Sequence, residues 1–266
     1  MNHELVDTCF NFTHASFRDD EPMVLERAVA AGVNTMMVTG SSREDSSKAI
    51  ELAERYPAHL FATAGVHPHL ANTWERDTRA KLRELATHPK IKAIGETGLD
   101  YNRNYSSPSK QRHAFEQQVI LACELKLPLF LHLRDAFDDF IKILSRYRKD
   151  VIRAVVHCFT GDESQLDACL AMDLHIGITG WICDERRGFH LRELLNRIPP
   201  NRLMIETDAP YLVPRDLKPQ PKARRNEPAF LPHILATLAA ALKRPEDEVA
   251  AITTTTARRF YNLNNG

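Results

Sequence analysis

The sequence is short of several things, and each shortage removes a class of protein. No apolar run approaches the ~18 residues that a membrane-crossing helix needs. The five cysteines, Cys9, Cys123, Cys158, Cys169 and Cys183, are odd in number and scattered, with no Cys-x-x-Cys pair. That argues against a disulfide framework or a thiolate zinc site, and is the usage of reduced thiols in a cytoplasm. Excess charge is missing too: 35 basic residues face 35 acidic ones, so any surface for nucleic acid must be local. The opening Met1-Asn2-His3-Glu4 carries no basic segment followed by an apolar stretch, and no secretory signal is expected. With 43% apolar residues over 266 positions, disorder is excluded.

What is there alternates. Apolar runs begin at residues 5, 33, 60, 91, 127, 154, 174 and 203. Pro22 fits the first turn of a first helix that Gly32 ends. Further helices are expected over 43–56, 78–87, 107–126, 136–148, 161–172 and 189–197, with 228–242 and 246–261 closing the chain. The proline- and base-rich 212–227 cannot be a regular element. The steps are too short for a domain boundary, so one domain over 1–266 is expected, a TIM-type (β/α)8 barrel of parallel strands. A doubly wound open sheet is the alternative, since periodicity does not show closure.

Four of the runs end, or nearly end, in a side chain that can bind a metal: Glu96, His132, His157 and Asp208. In a β/α barrel the chemistry sits at such C-terminal strand ends. Gly95 and Gly98 free the backbone around Glu96, where a ligand can approach closely. Imidazole with carboxylate is a ligand set for Zn²⁺ or Mn²⁺, and the carboxylate share admits Mg²⁺. Asp208 either binds the ion or holds the attacking water and accepts its proton; its bland alternative is a helix cap. Glu206 is assigned to the strand itself. His67 and His69 flank Pro68, either contacting substrate and moving a proton or merely shaping a surface turn. Arg186-Arg187 and the basic stretch Arg215–Arg225 follow strands seven and eight, the side where barrels hold phosphate. The aromatics Tyr101, Tyr105, Trp181 and Tyr211 share these loops and could stack bases or simply pack.

Gly65-Val66-His67-Pro68-His69, Gly95-Glu96-Thr97-Gly98-Leu99-Asp100, Leu131-His132-Leu133-Arg134-Asp135, His157-Cys158-Phe159-Thr160-Gly161 and Glu206-Thr207-Asp208-Ala209-Pro210-Tyr211 together resemble the TatD family of metal-dependent hydrolases. Trp181–Gly188 and Arg224–Pro228 resemble its bacterial branch. The resemblance implies an amidohydrolase-type barrel and a Mg²⁺-dependent 3′–5′ exonuclease acting on single-stranded DNA and RNA, linked to DNA repair. It implies metal ligands at Glu96, His132 and His157, with Asp208 as ligand or base. His67, Arg134, Arg186 and Arg215 would then hold the substrate, and His67 could also serve in catalysis. Many members carry His-x-His at the end of strand one, where this chain has Cys9 and Asn11. A monomer is expected. Two rival readings stand beside this one: a small-molecule amidohydrolase or lactonase, and a catalytically silent binding protein.

Overall fold

The computed structural model describes residues 3–221 and 223–263; Met1, Asn2, Lys222 of the basic stretch, Asn264, Asn265 and Gly266 lie outside them. Among the described residues the strands are β1 (Leu5–Phe10), β2 (Val33–Val38), β3 (Leu60–Ala64), β4 (Ile91–Asp100), β5 (Leu129–Arg134), β6 (Ala154–Val156), β7 (His175–Ile178) and β8 (Leu203–Ile205). Helices alternate with them: α1 (Glu21–Ala30), α2 (Arg43–Arg55), α3 (Thr78–Leu85), α4 (Pro108–Leu125), α5 (Phe137–Tyr147), α6 (Glu163–Ala171), α7 (Phe189–Leu194), α8 (Leu231–Leu242) and α9 (Glu246–Tyr261). The strands join one sheet in the order β1 to β8. A doubly wound sheet reverses its strand order at a switch point, and no reversal occurs here. Phe10 and Ala209 form a parallel bridge just past the ends of β1 and β8. This is the (β/α)8 class expected from the alternation.

The chain packs as two compact units. One comprises the described residues of Val38–His157 and Ala171–Leu174; the other those of Met1–Met37, Cys158–Leu170 and His175–Gly266.

In the first of these, the sequence pattern ends strand four's apolar run at Ile94 and makes Asp100 the start of an irregular stretch. The strand in fact continues to Asp100. Glu96, Gly98 and Asp100 alternate along it, so they share one face and the intervening Thr97 and Leu99 take the other. A polar face lowers the apolar count without ending the strand. Its register against β5 shifts between Ile94 and Thr97, after which Gly98 lies opposite His132 and Asp100 opposite Arg134. Gly95 and Gly98 have φ of 135° and 145°. A side chain at either would strike β5 backbone, the Phe130 carbonyl or the His132 carbonyl respectively.

Helix α4 then fixes the strand ends from behind. Gln111 and Gln118, both fully buried, stand two turns apart on its inner face. Gln118 accepts from the Val66 N–H (2.7 Å) and donates to the Val66 carbonyl (3.0 Å). Gln111 accepts from the Asp100 N–H (2.8 Å) and donates to the Asp100 carbonyl (3.0 Å). Each glutamine thus replaces the backbone partner that a strand loses where it stops.

In the other unit β1 is buried along its whole length, and it pairs with the segment after β8 through Asp208 N–H to the Cys9 carbonyl (3.0 Å) and Asn11 N–H to the Ala209 carbonyl (2.9 Å). Among its described residues the proline- and base-rich segment has no strand or helix, as expected. Side chains hold it instead. Asn226 donates to the carbonyls of Thr207 (2.9 Å) and Tyr211 (2.7 Å). Arg225 pairs with Asp20 and Glu227, which Arg27 also meets.

Replacing Gln118 with leucine keeps the volume but strands the Val66 N–H and carbonyl inside the protein. The expected loss is about 2–4 kcal/mol in urea unfolding, whereas Gln117→Leu, at a half-buried neighbouring position, should stay within about 0.5 kcal/mol.

Candidate metal centre

Six polar side chains meet at the strand ends of the unit built on β3 to β6. Glu96 comes from β4, His132 from β5, His157 follows β6, and His67 caps the turn after β3. Glu96 is 5% exposed and His157 4%. The Glu96 Oε1 atom lies 3.1 Å from His67 Nε2, 2.9 Å from His132 Nδ1 and 2.9 Å from His157 Nε2. Behind them, Asp100 Oδ2 meets His132 Nε2 (3.2 Å) and His69 Nε2 (2.7 Å), while Oδ1 accepts the Arg103 N–H (2.8 Å).

The hydrogen bonds sort these groups into donors and ligands. His69 N–H donates to His67 Nδ1 (3.1 Å). A neutral His67 therefore carries its proton on Nε2 and donates it to Glu96. Burial keeps this imidazole neutral by pushing its pKa down to about 4, against the opposing pull of Glu96. His132 gives its Nε2–H to Asp100, which turns the Nδ1 lone pair towards the Glu96 carboxylate. Two acceptors 2.9 Å apart need a proton or a metal ion between them. Burial alone would raise Glu96 and lower His132. Against it, His67 and His157 hold the Glu96 carboxyl well below the usual range, and hydrogen bonds to Asp100 and Glu96 push His132 upwards. Asp100 is depressed as well: hydrogen bonds from His132 and His69 outweigh its burial.

This donor set fits a divalent cation. Neighbouring ligands of an octahedral ion with bonds near 2.1 Å stand about 3 Å apart. Glu96 Oε1, His132 Nδ1 and His157 Nε2 are separated by 2.9, 2.9 and 3.4 Å. The carboxylate behind His132 completes the acid–imidazole–metal relay common to such sites. Asp100 was missed in the sequence because it looked like the first residue of a loop. Its spacing of two residues from Gly98 and four from Glu96 was the available signal.

Asp208 belongs to the other unit, just past β8, with φ of 56°. Its Oδ1 accepts from Asn11 Nδ2 (2.9 Å) and from Cys9 Sγ (3.4 Å). The two positions that differ from the His-x-His pattern thus orient a carboxylate. Beneath them the fully buried Asp7 accepts from the N–H groups of Cys9 (3.2 Å) and Thr207 (2.9 Å) and from the Thr207 hydroxyl. Glu206 is buried too, accepting from Thr8 Oγ1 (3.1 Å) and the Cys158 N–H.

The expected substrate contacts are spread more widely. Arg134 ends β5. Arg186 pairs with Asp184 (3.0 Å) and Arg215 with Glu185 (2.8 Å), both at the surface. Tyr101 is tied into packing, donating to Asp139 (2.7 Å) and accepting from Arg112 (3.0 Å). Tyr105 and Tyr211 are 65% and 52% exposed, their rings edge-on to His69 and His14.

A parallel β/α sheet in barrel order, with imidazoles and carboxylates gathered at its strand ends, defines a metal-dependent hydrolase. The sequence model of the family described as TatD related DNase matches residues 6–262, and the chain belongs to that family. It is 51% identical over 261 residues to a protein of Erwinia tasmaniensis named 3′-5′ ssDNA/RNA exonuclease TatD, covering 97% of this chain and 100% of that one. The crystal structure of a TatD homologue from Escherichia coli K12 superposes with a TM-score of 0.90 at 28% identity, covering 99% of this chain and 100% of that one. An L-hydantoinase from Arthrobacter aurescens shares the fold alone, with a TM-score of 0.67 at 9% identity over 98% of this chain and 71% of its own.

Two measurements follow from this geometry. Asp100→Asn weakens the acceptor behind His132, and divalent-ion affinity measured by calorimetry should fall roughly 10–100-fold. Burial raises the Asp7 pKa from 3.8 to about 7, against the Thr207 hydrogen bonds. The unfolded chain therefore loses this proton first, and the stability that the protonated group gives at low pH is lost as pH rises towards 7. Asp7→Asn mimics the protonated form. Its stability relative to the parent should rise by about 2 kcal/mol between pH 5 and pH 7 in urea titrations.

Proposed function

We propose that this chain is a cytoplasmic, metal-dependent 3′–5′ exonuclease that hydrolyses phosphodiester bonds of single-stranded DNA and RNA, as a monomer and in the service of DNA repair. The observation that carries this reading is the convergence of His132 Nδ1 and His157 Nε2 on Glu96 Oε1, within a family of DNases. The name carried by the Erwinia tasmaniensis relative supplies the polarity and the substrates. The five free cysteines agree with a reducing compartment, and no helix of the described residues is long and apolar enough to cross a membrane.

Glu96, His132 and His157 would hold one ion, Mg²⁺ in preference to Mn²⁺ or Zn²⁺ given the carboxylates nearby. The ion supplies a Lewis acid that offsets phosphate charge and lowers the pKa of water. Asp208, its Oδ1 held by Asn11 and Cys9, would take the proton of the attacking water. His67 offers its Nε2–H to a non-bridging phosphate oxygen. Arg134, Arg186 and Arg215 bind the strand's flanking phosphates, and Tyr105 and Tyr211 offer faces for bases, worth roughly 1–3 kcal/mol each where stacked. With Cys9 and Asn11 engaged on Asp208, a second ion finds fewer ligands, and a single-ion mechanism is favoured.

The test is a time course on 5′- and 3′-labelled single strands with purified protein. Degradation from the 3′ end should stop with EDTA, return with Mg²⁺, and drop at least about 100-fold in Asp208→Ala. Equal degradation with EDTA or by Asp208→Ala sinks the mechanism. A KM unmoved by salt would turn the reading towards a small neutral substrate.

A further inference from the structure

A second cluster of chemistry-bearing side chains lies in the unit that contains β7, β8 and α8. Cys183 closes the 3-10 turn Gly180–Cys183 that follows β7. Asp216 lies in the segment after β8, and His233 stands in the first turn of α8. One sulfur, one carboxylate oxygen and one imidazole nitrogen from these three residues all lie within 4.8 Å of one another. His233 Nε2 is 2.6 Å from Asp216 Oδ1. The Cys183 thiol donates to Thr237 Oγ1 (3.4 Å), and that hydroxyl donates to the His233 carbonyl one turn back along α8 (3.0 Å). The cysteine is fully buried, whereas the His233 and Asp216 side chains are 30% and 43% exposed. The cluster is therefore a small cup with a sulfur floor and an open side of nitrogen and oxygen.

A reactive thiol does not explain it. Burial pushes the Cys183 thiol up to about 12, beyond the range in which a cysteine acts as a nucleophile at neutral pH. A surface His–Asp pair does not explain it either, because such a pair has no use for a buried sulfur at its base.

We propose that Cys183, Asp216 and His233 form a binding site for a soft or borderline divalent cation of the Zn²⁺ class, which pins the loop after β7 to the loop after β8. Thiolate, carboxylate and imidazole are the three ligand types that Zn²⁺ takes, and a water completes four-coordination from the open side. Binding releases the thiol proton to solvent, and the resulting thiolate and carboxylate match the ion's two positive charges. Bond lengths of about 2.0–2.3 Å set tetrahedral ligand spacings of roughly 3.3–3.8 Å. The His233–Asp216 pair opens slightly to reach them and the thiolate closes in. The neighbouring residues already join the same two loops: Arg215, beside Asp216, pairs with Glu185 (2.8 Å) and approaches Asp184 (4.0 Å), beside Cys183. An ion in the cup would hold Arg186 and Arg215 in place. This site shares no residue with the Glu96 centre, and the inference does not rest on the nuclease reading.

Co²⁺, a spectroscopic stand-in for Zn²⁺, tests the proposal on full-length protein stripped of metal. The expected result is a near-ultraviolet thiolate-to-cobalt absorption that saturates by two equivalents of added Co²⁺, one for each of the two sites, and by one equivalent in Glu96→Gln. It should vanish in Cys183→Ser and titrate at least tenfold more weakly in His233→Ala and Asp216→Asn. It should persist in Cys9→Ser and in Glu96→Gln, which separates it from the catalytic ion. The two solvent-reaching substitutions carry the test should the buried serine disturb folding. No thiolate band in the parent protein, or a band indifferent to His233→Ala and Asp216→Asn, overturns the proposal.

Discussion

The structure turns on one buried carboxylate. Glu96 is removed from water yet ionised, an arrangement that costs several kcal/mol unless compensating charge lies close by. Its Oε1 atom is met by three imidazole nitrogens at hydrogen-bond distance. One of these, His67, is locked as a neutral donor by the backbone of its own loop. Another, His132, is turned by Asp100 so that its lone pair faces the carboxylate. With Asp100 ionised as well, the centre is short of positive charge, which protons or a divalent ion can supply. Metal binding is therefore linked to pH: ions and protons compete for the same lone pairs.

That arrangement explains features of the fold that look incidental in isolation. Gly98 must be glycine because the chain passes too close to the His132 carbonyl for a side chain. The inner face of α4 gives up two apolar positions to glutamine because the strand ends carrying His67 and Asp100 would otherwise leave peptide groups unpaired in the interior. Both are precision devices. They add little apolar burial, but they set where a nitrogen or oxygen points to within a fraction of an ångström, which is what ligand geometry requires.

Much of this was legible in the sequence. All eight strands begin within two residues of where their apolar runs start, because strands buried on both faces need continuous apolar sequence. Glu96, His132 and His157 were legible for a related reason: each interrupts or ends such a run, and a polar residue there has few structural uses. Asp100 was not legible by that logic, since the residues before it already alternate between polar and apolar. The roles of Gln111 and Gln118 were hidden more deeply. A glutamine on a helix reads as solvent-facing, and only the position of the strand end beside it shows otherwise. Nor could one-dimensional spacing pair Cys9 and Asn11 with Asp208, about 200 residues away. That link depends on the last strand returning to the first.

The loop charges follow a different logic from the centre. Arg186 and Arg215 are not held as bare cations; each is matched with an acid from the loop after β7. Exposed pairs of this kind contribute roughly 0–1 kcal/mol, because water and salt screen them. They orient the two guanidinium groups without adding much to stability. The protein's zero net charge fits the same pattern. A surface without a long-range basic field does not gather duplex nucleic acid indiscriminately.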